Sequence, residues 1–179
     1  WRHIQNPYSS YGYYFVTDNL SLQRTITLAK DQFNLNDVEE IDWYNAYYLH
    51  EQDFVNLIDI TGTNGGGREF YGETMNLKQN KLTITLPTSY ARTDMKAHCN
   101  IQFAANSGQN TTASVRVNYA GKTETKKIKG LTDEHTRARL DSLILDVNPV
   151  SGSEQIFNFT FSGSTSNANA YLNYIELNI

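Results

Sequence analysis

Between Met95 and Ala105 every odd position is apolar: Met95, Ala97, Cys99, Ile101, Phe103 and Ala105. Lys96, His98, Asn100 and Gln102 lie between them, and Asn106 follows. A helix would scatter such a set around its circumference, whereas an extended chain points successive side chains to opposite faces. The segment predicts a long strand with one face in a core and the other toward water.

The same period governs the rest of the chain from residue 81 onward. Leu82, Ile84 and Leu86 oppose Thr83 and Thr85, and Pro87 closes that strand. Ala113, Val115, Val117 and Tyr119 oppose Ser114, Arg116 and Asn118, after a turn at Ser107-Gly108-Gln109-Asn110 and before another at Ala120-Gly121. Leu143, Leu145 and Val147 follow, then Phe157, Phe159 and Phe161 against Asn158 and Thr160. In the last strand Tyr171, Asn173, Ile175, Leu177 and Ile179 face one way and Leu172, Tyr174 and Glu176 the other. Large side chains on both faces mark it as a central strand. Thr123 to Ile128, polar on both faces and rich in lysine, reads as a guarded edge strand.

The first third is less regular. Tyr11 to Thr17 and Thr25 to Ala29 read as strands, and Ile41, Trp43, Tyr47 and Leu49 alternate with polar or small neighbours. Phe54, Val55, Leu57 and Ile58 predict a short helix near 50–59. Thr63-Asn64-Gly65-Gly66-Gly67 is a loop, and the sheet resumes from Phe70 to Leu77. Gly72, between aromatic residues and a carboxylate, signals a bulge or a close backbone approach.

About ten strands spaced about a dozen residues apart imply two packed antiparallel sheets. The expected fold is an all-β sandwich, jelly-roll or carbohydrate-module-like, forming a single domain over residues 1–179. With 12 Tyr, 8 Phe and only three Pro, the composition suits pleated surfaces. A net charge of −4, with Lys126-Lys127-Ile128-Lys129 as the one basic run, argues against nucleic acid. The single cysteine excludes an internal disulfide. No apolar stretch is long enough for a signal or membrane helix, so direct membrane insertion is not expected. The chain opens on Trp1, and a piece excised from a longer protein is expected.

Chemistry-bearing residues concentrate at His50, Glu51, Asp53, Arg68 and Glu73. They admit two readings. Carboxylates in sandwich loops sometimes hold calcium, which makes residues 50–53 a candidate calcium site. Alternatively the five residues form a structural corner, in which Glu51 or Asp53 caps the short helix or pairs with Arg68. A Cys99 nucleophile with His50 as base is disfavoured, because Cys99 falls on the apolar face of its strand. Gly65-Gly66-Gly67 lacks the lysine and the strand-loop-helix context of a phosphate loop. No catalytic residue is therefore assigned. Tyr8, Tyr11, Trp43, Tyr44 and Tyr48, with Tyr13, Tyr14 and Tyr47, exceed what one core stripe needs and are candidate platforms for sugars.

Several segments together resemble one family. They are Asn6-Pro7-Tyr8-Ser9, Tyr13-Tyr14-Phe15-Val16-Thr17, His50-Glu51-Gln52-Asp53, Gly67 to Glu73, Ile101 to Ser107 and Tyr171 to Asn178. In order and spacing they resemble the β-sandwich region that precedes the gingipain-type cysteine peptidase domain in the type IX secretion sortase of Bacteroidetes. The family pattern favours Trp-Phe where this chain has Phe70-Tyr71, and Gly65-Gly66 lengthen its loop. The resemblance implies a non-catalytic accessory domain, exported to the bacterial cell surface or outer membrane. Its partners would be a downstream peptidase domain in the same chain and secreted cargo, with a glycan as the alternative ligand. The catalytic cysteine and histidine would lie downstream, so Cys99 and His50 do not inherit those roles.

Overall fold

The computed structural model describes residues 44–57, 69–132 and 136–179. Two compact units divide the chain, Trp1–Tyr44 and Asn45–Ile179, and every strand described belongs to the second. The expected strands before residue 44, the loop at 63–67 and Arg68 lie outside the described residues, so the expectation of one domain extends beyond them.

The alternating segments form the expected strands. In chain order they are β1 (Tyr47–Glu51), β2 (Val55–Asn56), β3 (Phe70–Tyr71), β4 (Thr74–Asn76), β5 (Lys81–Pro87) and β6 (Ala97–Asn106). There follow β7 (Thr112–Tyr119), β8 (Lys122–Lys129), β9 (Arg139–Val147), β10 (Glu154–Gly163) and β11 (Asn169–Asn178). One sheet runs β1-β11-β6-β9, with β4 also paired to β11; the other runs β5-β10-β7-β8; β2 and β3 form a separate pair. All pairings are antiparallel. β11 is central and β8 is an edge, as the distribution of apolar side chains predicts.

The inward faces of the two sheets make the core. Phe157, Phe159 and Phe161 from β10 join Ile101 and Phe103 from β6 and Leu172, Ile175 and Leu177 from β11, all essentially inaccessible to water. The Tyr119 and Phe157 rings stack with centroids 4.2 Å apart. In one buried polar side chain, Gln155, both polar atoms have partners: its Oε1 accepts from the Tyr119 hydroxyl at 3.0 Å and Val150 N–H at 3.1 Å, while its Nε2 donates to Val150 O at 2.7 Å. That pairing removes the penalty of an orphaned amide in an apolar core. Where edge strands β8 and β9 approach, the inward register positions Lys126 and Asp141 form an ion pair at 3.0 Å. An inward charge at a sheet edge discourages pairing with another chain.

The helix expected near 50–59 is not present over the described residues 50–57. That stretch is the end of β1, an extended connection and β2. Phe54 N–H donates to Tyr71 O at 2.8 Å, and Val55 and Asn56 pair with Tyr71 and Phe70. These long-range bonds satisfy the backbone that a helix would have paired locally. At Gly72 the close-approach reading holds: a Cβ there would lie 3.0 Å from Gln52 Cβ and 3.1 Å from Gln52 O. The two-residue turn between β7 and β8 has positive φ at both Ala120 (49°) and Gly121 (78°), the geometry that matches strand twist in a hairpin.

Candidate functional site

Alternation along β1 divides the chemistry-bearing residues between two faces. Tyr48 and His50 stand opposite Leu177 and Ile175 and share their core-facing side, whereas Tyr47, Leu49 and Glu51 stand opposite Asn178, Glu176 and Tyr174 on the outer face. The outer face continues across β11 onto β6, where Asn100 and Gln102 lie opposite Glu176 and Tyr174. A register shift between Leu172 and Tyr174 marks a bulge at Asn173. The extra residue lets Asn173 and Tyr174 both serve the outer face.

Glu176 is the centre of this surface. Although its side chain is on the outer face, the residue is only 8% exposed. Its Oε1 accepts from the Tyr47 hydroxyl at 3.1 Å and its Oε2 from Asn100 Nδ2 at 3.0 Å. Asn100 Nδ2 also approaches the Tyr174 hydroxyl at 3.4 Å. Beside them Asn173 Nδ2 donates to Gln102 Oε1 at 2.7 Å. Burial, then the charge and hydrogen bond of Glu176, push the Tyr47 hydroxyl up to about 12, with Glu51 and Tyr174 contributing. Burial and then Glu176 also raise Tyr174; the Asn100 hydrogen bond opposes this, while Glu51 and Glu69 reinforce it. The negative charges of Glu51, Glu69 and Glu176 thus converge on one phenol.

The other end of the outer face is covered. Leu57 and Tyr71 pack on Ala104 and Tyr171, with Val55 and Ala138 against them. The Tyr71 and Tyr171 rings are tilted at 59° with centroids 6.3 Å apart, and the Tyr71 hydroxyl donates to Glu69 Oε2 at 3.2 Å. The β2–β3 pair thus forms an apolar cover at one end of the face, beside a polar part in which Glu176 and Asn173 are buried and Asn100, Gln102 and Tyr174 half-buried.

On the core-facing side of β1, His50 Nε2 meets Glu73 Oε1 at 2.9 Å. Glu73 Oε2 is buried with no hydrogen-bond partner among the described residues. Burial raises the Glu73 carboxyl, but the His50 hydrogen bond, its own backbone N–H and the His50 charge outweigh burial and hold it below the ordinary carboxylate value. Glu51 belongs to the outer face, Asp53 lies exposed in the connection after β1, and Arg68 lies outside the described residues. No three His, Cys, Asp or Glu side chains among the described residues converge as metal ligands. Alternation sends His50 and Glu51 to opposite faces of β1.

Cys99 is wholly buried between the sheets, where burial and then the Glu176 charge push its thiol far up. A thiol in that state is not a nucleophile. His98, on the opposite face, pairs with Asp146 at 2.7 Å in the open. Of the aromatic candidates, Tyr44 is exposed, and Tyr48 packs against the core while its hydroxyl accepts from Ser89 N–H at 2.8 Å. Tyr8, Tyr11 and Trp43 lie outside the described residues. Of the residues around Glu176, sequence singled out Tyr47 as a surplus tyrosine, but not Asn100, Gln102, Asn173 or Glu176 itself. Their signal was present as large polar side chains, Tyr174 and Glu176, on a strand that is bulky on both faces.

No protein-family model and no curated protein matches the chain. Among solved structures, dimeric latent PorU from Porphyromonas gingivalis is similar over 77% of this chain and 13% of that chain, at 16% identity and a TM-score of 0.59. The chain thus corresponds in length to a small part of PorU and shares its local fold. The CBM36-1 domain of a multidomain xylanase from the hindgut metagenome of Trinervitermes trinervoides matches at a TM-score of 0.42 and 12% identity, over 75% of this chain and 96% of that one. A carbohydrate-binding module, CBM36, in complex with calcium and xylotriose matches at 0.41 and 15% identity, over 75% and 99%.

Proposed function

We propose that the chain is a non-catalytic accessory domain of a gingipain-like cell-surface peptidase of type IX secretion, which positions the peptidase or engages its cargo. The observation that carries this reading is the fold shared with part of PorU. It agrees with the ordered segments from Asn6 to Asn178 that resemble the sandwich before a type IX sortase peptidase domain. Cys99, sealed in the core, has no route to a peptide bond, which fits chemistry located elsewhere in the parent. The reading frame beyond Ile179 tests the proposal. A peptidase segment there with its own histidine and cysteine supports it, and a stop codon directly after Ile179 overturns it.

A second reading is a carbohydrate-binding or adhesin-type surface module, and one observation favours it. The polar part of the first sheet's outer face combines the partly exposed Tyr47 with the half-buried Asn100 and Gln102 and the buried Asn173 and Glu176 side chains. Such a mixture of aromatic, amide and carboxylate groups suits sugars. A glycan screen on the purified chain separates this reading from a purely scaffolding role.

A further inference from the structure

The geometry points to a neutral glycan site on the outer face of the first sheet, with Gln102 and Asn100 as its hydrogen-bonding pair, Tyr47 as its stacking platform and Glu176 as the residue that positions Tyr47 and Asn100. This rests on the carbohydrate-binding reading and adds to it the class of ligand and the atoms that hold it.

Two side-chain amides on this face keep one atom each uncommitted among the described residues. Asn173 Nδ2 occupies Gln102 Oε1 and so orients the Gln102 carboxamide, whose Nε2 has no acceptor among the described residues. Asn100 commits its Nδ2 to Glu176 Oε2 and the Tyr174 hydroxyl, which leaves Asn100 Oδ1 without a donor among them. Neither atom is sealed away, because the buried side-chain atoms without a partner among the described residues are Glu73 Oε2 and Thr88 Oγ1. Asn100 and Gln102 are half-buried neighbours on one face of β6. An unused amide donor therefore sits beside an unused carbonyl acceptor, both held in orientation from behind.

A ligand that answers both must accept and donate, and a hydroxyl group does so from one atom. A lysine or arginine side chain only donates and would leave the Gln102 N–H groups idle. An anionic ligand would meet the charges of Glu51, Glu69 and Glu176, which already converge on Tyr174. Across β11 from the amide pair, on β1, Tyr47 is 41% exposed while its hydroxyl is tied to Glu176, the residue opposite Asn100, so the ring is anchored toward the Asn100 end of the pair. Sugar C–H groups pack on such a ring. Glu176 holds Tyr47 with one oxygen and Asn100 with the other, which sets stacking and hydrogen-bonding groups in place before a ligand arrives.

The test is calorimetric titration of the wild-type chain with cellohexaose, xylohexaose and mannohexaose, with hexagalacturonate and hexalysine as charged controls. At least one neutral hexasaccharide should bind, and Gln102→Ala and Tyr47→Ala should each weaken it about tenfold. In wild-type protein the Gln102 side-chain amide resonances should shift on titration, a readout independent of variant folding. If a neutral saccharide binds with those resonances unmoved and both variants unaffected, this site is wrong although the carbohydrate reading stands. If only hexalysine or only hexagalacturonate binds, the ligand class is overturned; if nothing binds, the carbohydrate reading falls with it.

Discussion

The Tyr47 hydroxyl donates to Glu176 Oε1 at 3.1 Å across the seam between β1 and β11. Residues 129 positions apart are thereby joined on the outer face of the first sheet. Because Glu176 is largely buried, Tyr47→Phe removes a donor that water only partly replaces. The expected loss is about 1 kcal/mol, read as a lower urea midpoint with unchanged slope. The folded Tyr47 pKa is raised from 10.0 to about 12, so the pair's contribution is present below the unfolded value and is lost as pH rises through about 12. In Tyr47→Phe this part of the alkaline loss should be missing.

The contact between His50 and Glu73 acts at the other end of the pH scale. The folded Glu73 carboxyl lies below its unfolded value of 4.5, so its contribution is present above that value and disappears as pH falls through the lowered one. His50→Ala should move the acid-unfolding midpoint to higher pH, with a loss near neutrality of under about 1 kcal/mol. An acid midpoint that does not move would show that the contact has no energetic role.

Ala120 occupies a positive φ that suits glycine or asparagine. Ala120→Gly should relieve strain in the β7–β8 hairpin and stabilise the protein by roughly 0.5 to 1 kcal/mol, seen as a higher melting temperature.

Gln155 satisfies Tyr119 and both backbone groups of Val150. Gln155→Leu keeps roughly the side chain's volume but removes its amide, leaving those partners stranded between the sheets. The expected cost is about 3 kcal/mol, measurable by denaturant unfolding. A near-neutral outcome would mean that water enters to replace the amide.

The strands from β5 onward were legible because a two-residue period needs only a dozen residues or fewer to declare itself, and here it sorts Ile84, Cys99, Val117, Leu145 and Phe159 correctly inward. The stretch at 50–57 was not. Phe54 and Val55 look like part of a helical apolar face, yet Phe54 is 68% exposed and the segment is held by Phe70 and Tyr71. Short apolar runs take the conformation that distant partners impose. The outer face was hidden for the same reason: Tyr47, Asn100 and Glu176 are unremarkable in their own strands and acquire meaning only when β1 and β6 flank β11. His50 and Glu51 read as one cluster along the chain, but strand alternation sends them to opposite faces.

The proposed role, a sandwich that supports a peptidase without being one, carries a direct consequence for the isolated chain. It is tested most directly by incubating the purified chain with fluorogenic peptides spanning arginine, lysine and apolar cleavage positions, alongside Cys99→Ala. The account predicts no turnover by either protein. Robust hydrolysis by wild type that Cys99→Ala abolishes would contradict it.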